Sequence, residues 1–218
     1  GLLWYEKAAE VGSLVEKYKY ADLYYSDAEV RNYEKALSLF LKLVPKDGLV
    51  SHKFHILVFL KLGAIYFNGQ GVKKDYLESK KYYDKVDNTS EALEAIIAMY
   101  LNGWGVKQSD DMVVTYIGKL MDPTRPKGFE PGPYFQILGN IYKKRQDSVK
   151  SLENYRLGAL SGQEDSMQEL VKIYTPLGAE DAGDLGDINF ALLKFDVAEK
   201  FYQNEVCQNN LRCRYNYI

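Results

Sequence analysis

Leu62-Gly63-Ala64-Ile65-Tyr66-Phe67-Asn68-Gly69-Gln70-Gly71-Val72-Lys73 decides the fold of this chain, because the chain repeats it. Tyr100-Leu101-Asn102-Gly103-Trp104-Gly105-Val106-Lys107 copies its second half at an offset of 34 residues. Leu138-Gly139-Asn140-Ile141-Tyr142 copies its first half, Ala21-Asp22-Leu23-Tyr24 is a weaker copy, and Leu185-Gly186-Asp187-Ile188-Asn189 is a fifth candidate. Self-similarity at such a period is the signature of stacked supersecondary units.

Downstream of each copy a small or β-branched residue precedes a large one by four positions. The pairs are Ala36 with Phe40, Ser79 with Tyr83, Val113 with Ile117, Ser151 with Tyr155, and Ala198 with Tyr202. A gap of four sets both side chains on one helix face. The small residue admits a neighbouring helix and the large one fills the space beside it. Each unit therefore reads as helix A, turn, helix B. Gly69 and Gly71 stop helix A, since glycine accepts the left-handed conformation at a helix C-terminus. Asp75 stands where an N-cap belongs, and Asn32, Asp147 and Ser148 hold the same place in other units.

The run from Leu62 to Tyr83 resembles the Sel-one-like repeat (SLR) family, a relative of the tetratricopeptide repeats. Trp4-Tyr5-Glu6-Lys7-Ala8-Ala9-Glu10-Val11-Gly12 is similar to the end of an SLR helix B, and Tyr155 to Gly162 echoes it. The resemblance implies an all-α fold, a right-handed α-solenoid of about five helix-turn-helix repeats, counted as one domain over 1–218. Regularity breaks at 122–133, which holds four of the six prolines, and at 175–184. Helix cannot run through the proline segment. From Tyr142 to Ser151 and from Asn189 to Ala198 the spacing is 9, against 12 or 13 in the first three units, so the later units look closer to plain tetratricopeptide repeats.

The remaining composition excludes more than it assigns. The 218 residues are 46% hydrophobic and 27% charged with net charge −2, which suits a packed soluble fold and carries no nucleic-acid footprint. No apolar run is long enough for a membrane helix. The chain opens in mid-pattern, from which we expect a leader or upstream segment to have been removed. Cys207 and Cys213 are the only cysteines. They read as free thiols unless a bend at Gln208-Asn209-Asn210 brings them together, and a disulfide there would point to an oxidising compartment. We expect an exported, periplasmic setting, with the cytoplasm as the alternative.

No nucleophile elbow, phosphate loop or zinc-protease motif occurs. Gly69-x-Gly71 lies between helices and is a turn, not a dinucleotide site. His52 and His55 could share a metal at helical spacing, but no third ligand lies near, and they read as polar positions on a first helical turn. Asp181, Asp184 and Asp187 lack the alternation of a calcium loop and read as helix-start charges. No cofactor or metal is expected.

The function this leaves is a non-catalytic protein-binding module, a scaffold or adaptor that takes a peptide or a folded domain. Some bacterial SLR proteins resemble immunity proteins that neutralise a secreted toxin, which makes an inhibitor the alternative. Others are linked to cell-wall or β-lactam hydrolysis, but those carry paired cysteines in every repeat and this chain does not. By the same resemblance helix A lines a concave groove, at positions six and two before the motif tyrosine and one and two after it. These give Tyr18, Asp22 and Tyr25; Leu60, Phe67 and Asn68; Glu94, Leu101 and Asn102; and Gln136, Asn140 and Lys143. Tyr66, Tyr100 and Tyr142 themselves are expected to be buried between helices A and B.

Overall fold

The computed structural model describes residues 2–50, 52–124 and 128–174, and among them every regular element is helical. The chain forms two compact units, 1–127 and 128–218, whose boundary falls inside the proline segment. The fifth repeat candidate at 185–189, the Ala198–Tyr202 pair, Asp181, Asp184 and Asp187, and both cysteines lie outside the described residues.

In the first unit the helices are α1 (Leu2–Val11), α2 (Leu14–Ser26), α3 (Tyr33–Lys42), α4 (Lys53–Asn68), α5 (Tyr76–Tyr83), α6 (Ser90–Asn102) and α7 (Asp110–Leu120), with a 3-10 turn over Asp84–Val86. Their starts are capped by side chains. Ser13, Asn32, Asp75, Thr89 and Ser109 each accept from a backbone N–H in the following turn, and His52 does so through Nδ1, 3.2 Å from Phe54 N. Helices α4 and α6 end on Gly69 (φ 71°) and Gly103 (φ 70°), both left-handed. Pairs pack antiparallel: Phe67 meets Tyr76, Gly63 meets Ser79, and Phe59 meets Tyr82.

One backbone bond closes each of the four A–B turns among the described residues. The N–H of the helix B cap donates to the carbonyl of the motif tyrosine: Asn32 to Tyr24 (2.8 Å), Asp75 to Tyr66 (2.9 Å), Ser109 to Tyr100 (3.1 Å) and Asp147 to Tyr142 (3.0 Å). The last turn is four residues shorter than the two before it and closes the same bond by placing Gln146 at φ 60°.

Volume is traded across each pair. Gly63 faces Tyr83 and Gly139 faces Tyr155. In the aligned places Ala21 goes with Phe40 and Ile97 with Ile117, and none of these four is more than 1% exposed. Where glycine bares the helix A backbone, helix B supplies a serine: Ser79 Oγ donates to Gly63 O at 2.7 Å and Ser151 Oγ to Gly139 O at 3.0 Å. Burying one such large side chain stabilises by about 1.5–3 kcal/mol.

Tyr66, Tyr100 and Tyr142 are only half-buried, contrary to expectation. The core position belongs to the residue three before them: Gly63 and Gly139, which let the helix B aromatic in, and Ile97 against Ile117. Tyr66 and Tyr100 are left on the rim, stacked on Tyr82 (5.7 Å) and Tyr116 (5.7 Å).

The second unit holds α8 (Gly132–Lys144), α9 (Ser148–Leu160) and α10 (Glu164–Tyr174) around Tyr155, Ala159, Met167 and Leu170. Helix α10 follows the Ala159–Gly162 helix B ending and carries Leu170-x-x-x-Tyr174. It is a helix A, a copy of the motif that the self-comparison missed.

Candidate functional site

Glycine again decides what the A helices present. Gly71 (φ 68°) and Gly105 (φ 68°) sit against the first residues of the preceding helix B: a Cβ on Gly71 would lie 2.5 Å from Glu34 N, and one on Gly105 2.8 Å from Leu77 N. The residue before each glycine reaches back the same way. Gln70 Oε1 accepts from the Tyr25 hydroxyl at 3.1 Å, and Trp104 stacks on Tyr76 (5.2 Å) and meets Phe67 edge-on (5.8 Å). Tyr25 and Phe67 also pack edge-on against Tyr33 and Tyr76, the first residues of the next helix. The row expected to line an open groove is thus a seam between repeats at Tyr25 and Phe67. Leu101 is half-buried in the aligned place.

Other expected groove residues are also engaged within the fold. Tyr18 and Leu60 lie in the core, each 9% exposed. In the second unit Gln136 bonds Ser166, the Tyr155 hydroxyl donates to Asn140 Oδ1 at 2.7 Å, and Lys143 pairs with Glu169. The Glu169 carboxyl is held below its ordinary range by hydrogen bonds from Lys143 and then Lys172.

What remains open is a stripe on the A helices of the first unit. On α4 it runs Leu57, Lys61, Ala64, Asn68, at helical spacing and on the side away from Val58, Phe59, Leu62 and Ile65. Neighbouring α2 adds Asp22, and neighbouring α6 adds Glu94 and the exposed Asn102. Lys61 Nζ lies 3.0 Å from Asp22 Oδ1 and 4.3 Å from the centre of the Tyr25 ring, tying α4 to α2. Of the residues at two before and two after the motif tyrosine, Asp22, Asn68 and Asn102 lie along this stripe, whereas Asn140 is bonded to Tyr155. Those at five and nine before, Lys61 and Leu57, were missed. An i, i+4, i+7, i+11 count along α4 would have found them.

A cavity of about 370 Å³ opens between α1, α2 and α3, with Ala9, Leu39 and Leu43 in its lining beside Glu6, Glu10, Lys17 and Lys42. Tyr20 completes the lining, which holds no cysteine or histidine. No cluster of metal-ligating side chains occurs among the described residues, and no helix among them is long and apolar enough to cross a membrane.

Capped helix pairs, glycine-mediated stacking and a seam repeated from unit to unit define a helix-pair repeat protein. The Sel1 repeat family matches at residues 1–13, 17–43, 60–85 and 95–112, so Sel1 repeats make up much of the first unit. Two solved structures are similar to the chain. One is a protective antigen present in uropathogenic Escherichia coli strains and displaying an SLR fold, 18% identical with a TM-score of 0.50 over 99% of this chain and 58% of the antigen. The other is a Sel1 repeat protein from Oxalobacter formigenes, 17% identical with a TM-score of 0.52 over 92% of this chain and 75% of that one. At these identities the likeness concerns the fold. The chain spans 58% of the antigen's length. No curated protein matches the sequence. Sel1 repeats as a class mediate protein–protein interaction and are typically non-catalytic.

Proposed function

We propose that this chain is a non-catalytic binding module whose partner is another protein, held on the A-helix face of the first unit. The observation that supports this is the open stripe Leu57, Lys61, Ala64, Asn68 with Asp22 and Asn102 beside it. It presents an exposed leucine and a small residue among amides and charges, on helices whose opposite side is fixed in the core. Interfaces are built this way, with an apolar centre and a polar rim. The scaffold role fits a face spread over several A helices. An inhibitor that neutralises a secreted toxin fits the same face but demands one partner held very tightly. The antigen's connection with uropathogenic strains is compatible with either role.

Affinity capture from the native source, with bound proteins identified by mass spectrometry and their affinities measured, tests the proposal. A scaffold returns several partners at moderate affinity, and an inhibitor returns one in the nanomolar range or tighter. Hydrolysis of peptidoglycan or a β-lactam by the purified chain would sink the non-catalytic reading.

A further inference from the structure

The first repeat is hollow where the next two are filled. Four residues before the motif tyrosine, helix A carries Leu62 in α4 and Ile96 in α6, and three residues before those it carries Phe59 and Leu93; all four are buried. Phe59 packs against Tyr82 of helix B, with ring centres 6.1 Å apart. In α2 the same two places hold Tyr20 and Lys17, and on α3 Leu39 stands where Tyr82 does. A lysine without a partner does not stay in a core. Lys17 is exposed, and the space that an aromatic pair takes in the next repeat is left open. The cavity of about 370 Å³ between α1, α2 and α3 lies there, with Lys17, Tyr20 and Leu39 all in its lining. Tyr20 is also a costly floor. It is buried, and its hydroxyl is sealed without a hydrogen-bond partner among the described residues. The leucine or isoleucine of the aligned places buries no polar atom, so stability does not account for Lys17 and Tyr20.

The charges of the lining are sorted by sign. Glu6 and Glu10 stand one turn apart on α1, while Lys17 comes from the start of α2 and Lys42 from the end of α3. None of the four makes an ion pair among the described residues. The rest of the wall is apolar, from Ala9, Leu39 and Leu43. Two acids against two ammoniums leave no net charge, so neither a lone anion nor a lone cation is favoured. What they match is a molecule with an apolar body and one charge of each sign. Acids and ammoniums sit on different helices, so the two charges must be apart. An amino acid carries both on one carbon, whereas a short peptide carries them at opposite ends. At about 370 Å³ the cavity falls at the low end of small-molecule sites, which run roughly 300–1,000 Å³. That is room for a small molecule and not for a partner's helix.

We propose that the cleft between α1, α2 and α3 binds a short free peptide with apolar side chains, its ammonium at Glu6 and Glu10, its carboxylate at Lys17 and Lys42, and its side chains on Ala9, Leu39 and Leu43. The site is separate from the A-helix stripe. At about 100° per residue, Lys17 and Tyr20 lie roughly 140° and 160° around α2 from Asp22. The inference therefore goes beyond the protein-binding reading, and neither depends on the other.

Calorimetric titration of the whole chain with the dipeptide Leu-Leu tests this, run beside acetyl-Leu-Leu, Leu-Leu amide and the doubly blocked peptide. Leu-Leu should bind saturably. Each single block should weaken binding by about tenfold or more, the scale of one hydrogen bond to a charged group, and the doubly blocked peptide should give no measurable binding. Lys17→Phe, which installs the residue of the next repeat, should abolish binding and keep or raise the melting temperature. Glu10→Gln should weaken Leu-Leu but not acetyl-Leu-Leu, and Lys42→Gln should weaken Leu-Leu but not Leu-Leu amide. No saturable binding of Leu-Leu overturns the proposal, as does a doubly blocked peptide that binds as tightly. A folded Lys17→Phe variant that binds like wild type overturns it too. Acetyl-Leu-Leu binding as tightly as Leu-Leu would make the occupant the C-terminus of a longer chain and overturn the free peptide. Should Lys17→Phe not fold, the variants at the exposed Glu10 and Lys42 decide alone: wild-type affinity for Leu-Leu in both overturns the site.

Discussion

At Gly63 an added Cβ would lie 2.6 Å from Tyr83 Cε1, while at Gly118, in the last turn of α7, nothing stands within 4 Å. One substitution should therefore act with opposite sign at the two sites. Gly63→Ala forces the Tyr83 ring or α5 to move and should cost about 1–3 kcal/mol, the usual penalty of overpacking. Gly118→Ala should stabilise by about 0.5 kcal/mol, because glycine loses more freedom on folding than alanine. Urea denaturation of both variants decides it, and equal effects would mean that the Gly63 contact is not close. A second residue-scale consequence concerns Glu169. A carboxyl whose pKa is lowered on folding stabilises the protein above its unfolded value, roughly 4.3, and loses that contribution as pH falls through the folded value. Lys143 and Lys172 lower it here, and both are well exposed, so screening keeps the effect small. Glu169→Gln should lower the denaturation midpoint modestly at pH 7 and leave it equal to wild type near pH 3. A gap that widens on acidification would contradict the assignment.

The unit of construction above the residue is the A–B turn, closed by the cap N–H on the motif tyrosine carbonyl. Asp75 makes that bond and also accepts from Glu78 N at 2.9 Å, so Asp75→Ala should cost about 1 kcal/mol through the side-chain bond alone. Gly105→Ala should cost more, since it combines a left-handed φ with a Cβ 2.7 Å from Tyr76 Cβ; thermal denaturation in which it is the milder of the two would show that the seam yields. Caps and helix stops were legible in the sequence because they depend on residues next to one another in the chain. Asn32, Asp75 and Asp147 cap as their type and place suggest, and Gly69 takes the left-handed conformation. The seam was not legible. Gly71 and Gly105 look like turn glycines, and nothing local shows that their bare backbones carry the preceding repeat. Tyr66 was assigned to the core for a related reason: a regularly spaced aromatic looks like core until Tyr83, which comes from the other helix, is seen to have taken the space over Gly63. Helix α10 escaped because Val171 stands where Gly63 and Gly139 stand, so the Leu-x-x-x-Tyr pattern survived without its most visible residue.

At the scale of the first unit, Phe67 and Leu57 lie on the same helix and offer opposite experiments. Phe67 is held edge-on by Tyr76 and Trp104, so Phe67→Ala opens a gap at the seam. Large aromatic truncations in packed sites cost about 3–5 kcal/mol, and a half-buried one sits toward or below the lower end. Phe67→Ala with Leu101→Ala should therefore lower the melting temperature, and any loss of binding would be a consequence of that. Leu57 is 37% exposed on the open stripe and Asn68 is exposed at its far end, so Leu57→Glu with Asn68→Ala should stay within about 0.5 kcal/mol of wild type in stability, the usual range for surface changes. If the A-helix face holds the partner, the same pair should weaken capture at least tenfold, because an apolar contact at an interface centre is where binding energy concentrates. Leu77→Glu is the control: it is a leucine 55% exposed on helix B α5, and altering it should leave capture unchanged. The measurement is partner affinity for the three variants, each first matched to wild type by circular dichroism and melting. Loss of binding in Leu77→Glu alone would move the site to the B helices. Binding that falls only in step with the Phe67–Leu101 variant's stability would mean that the partner recognises the stacked repeats as a whole and not the stripe on α4.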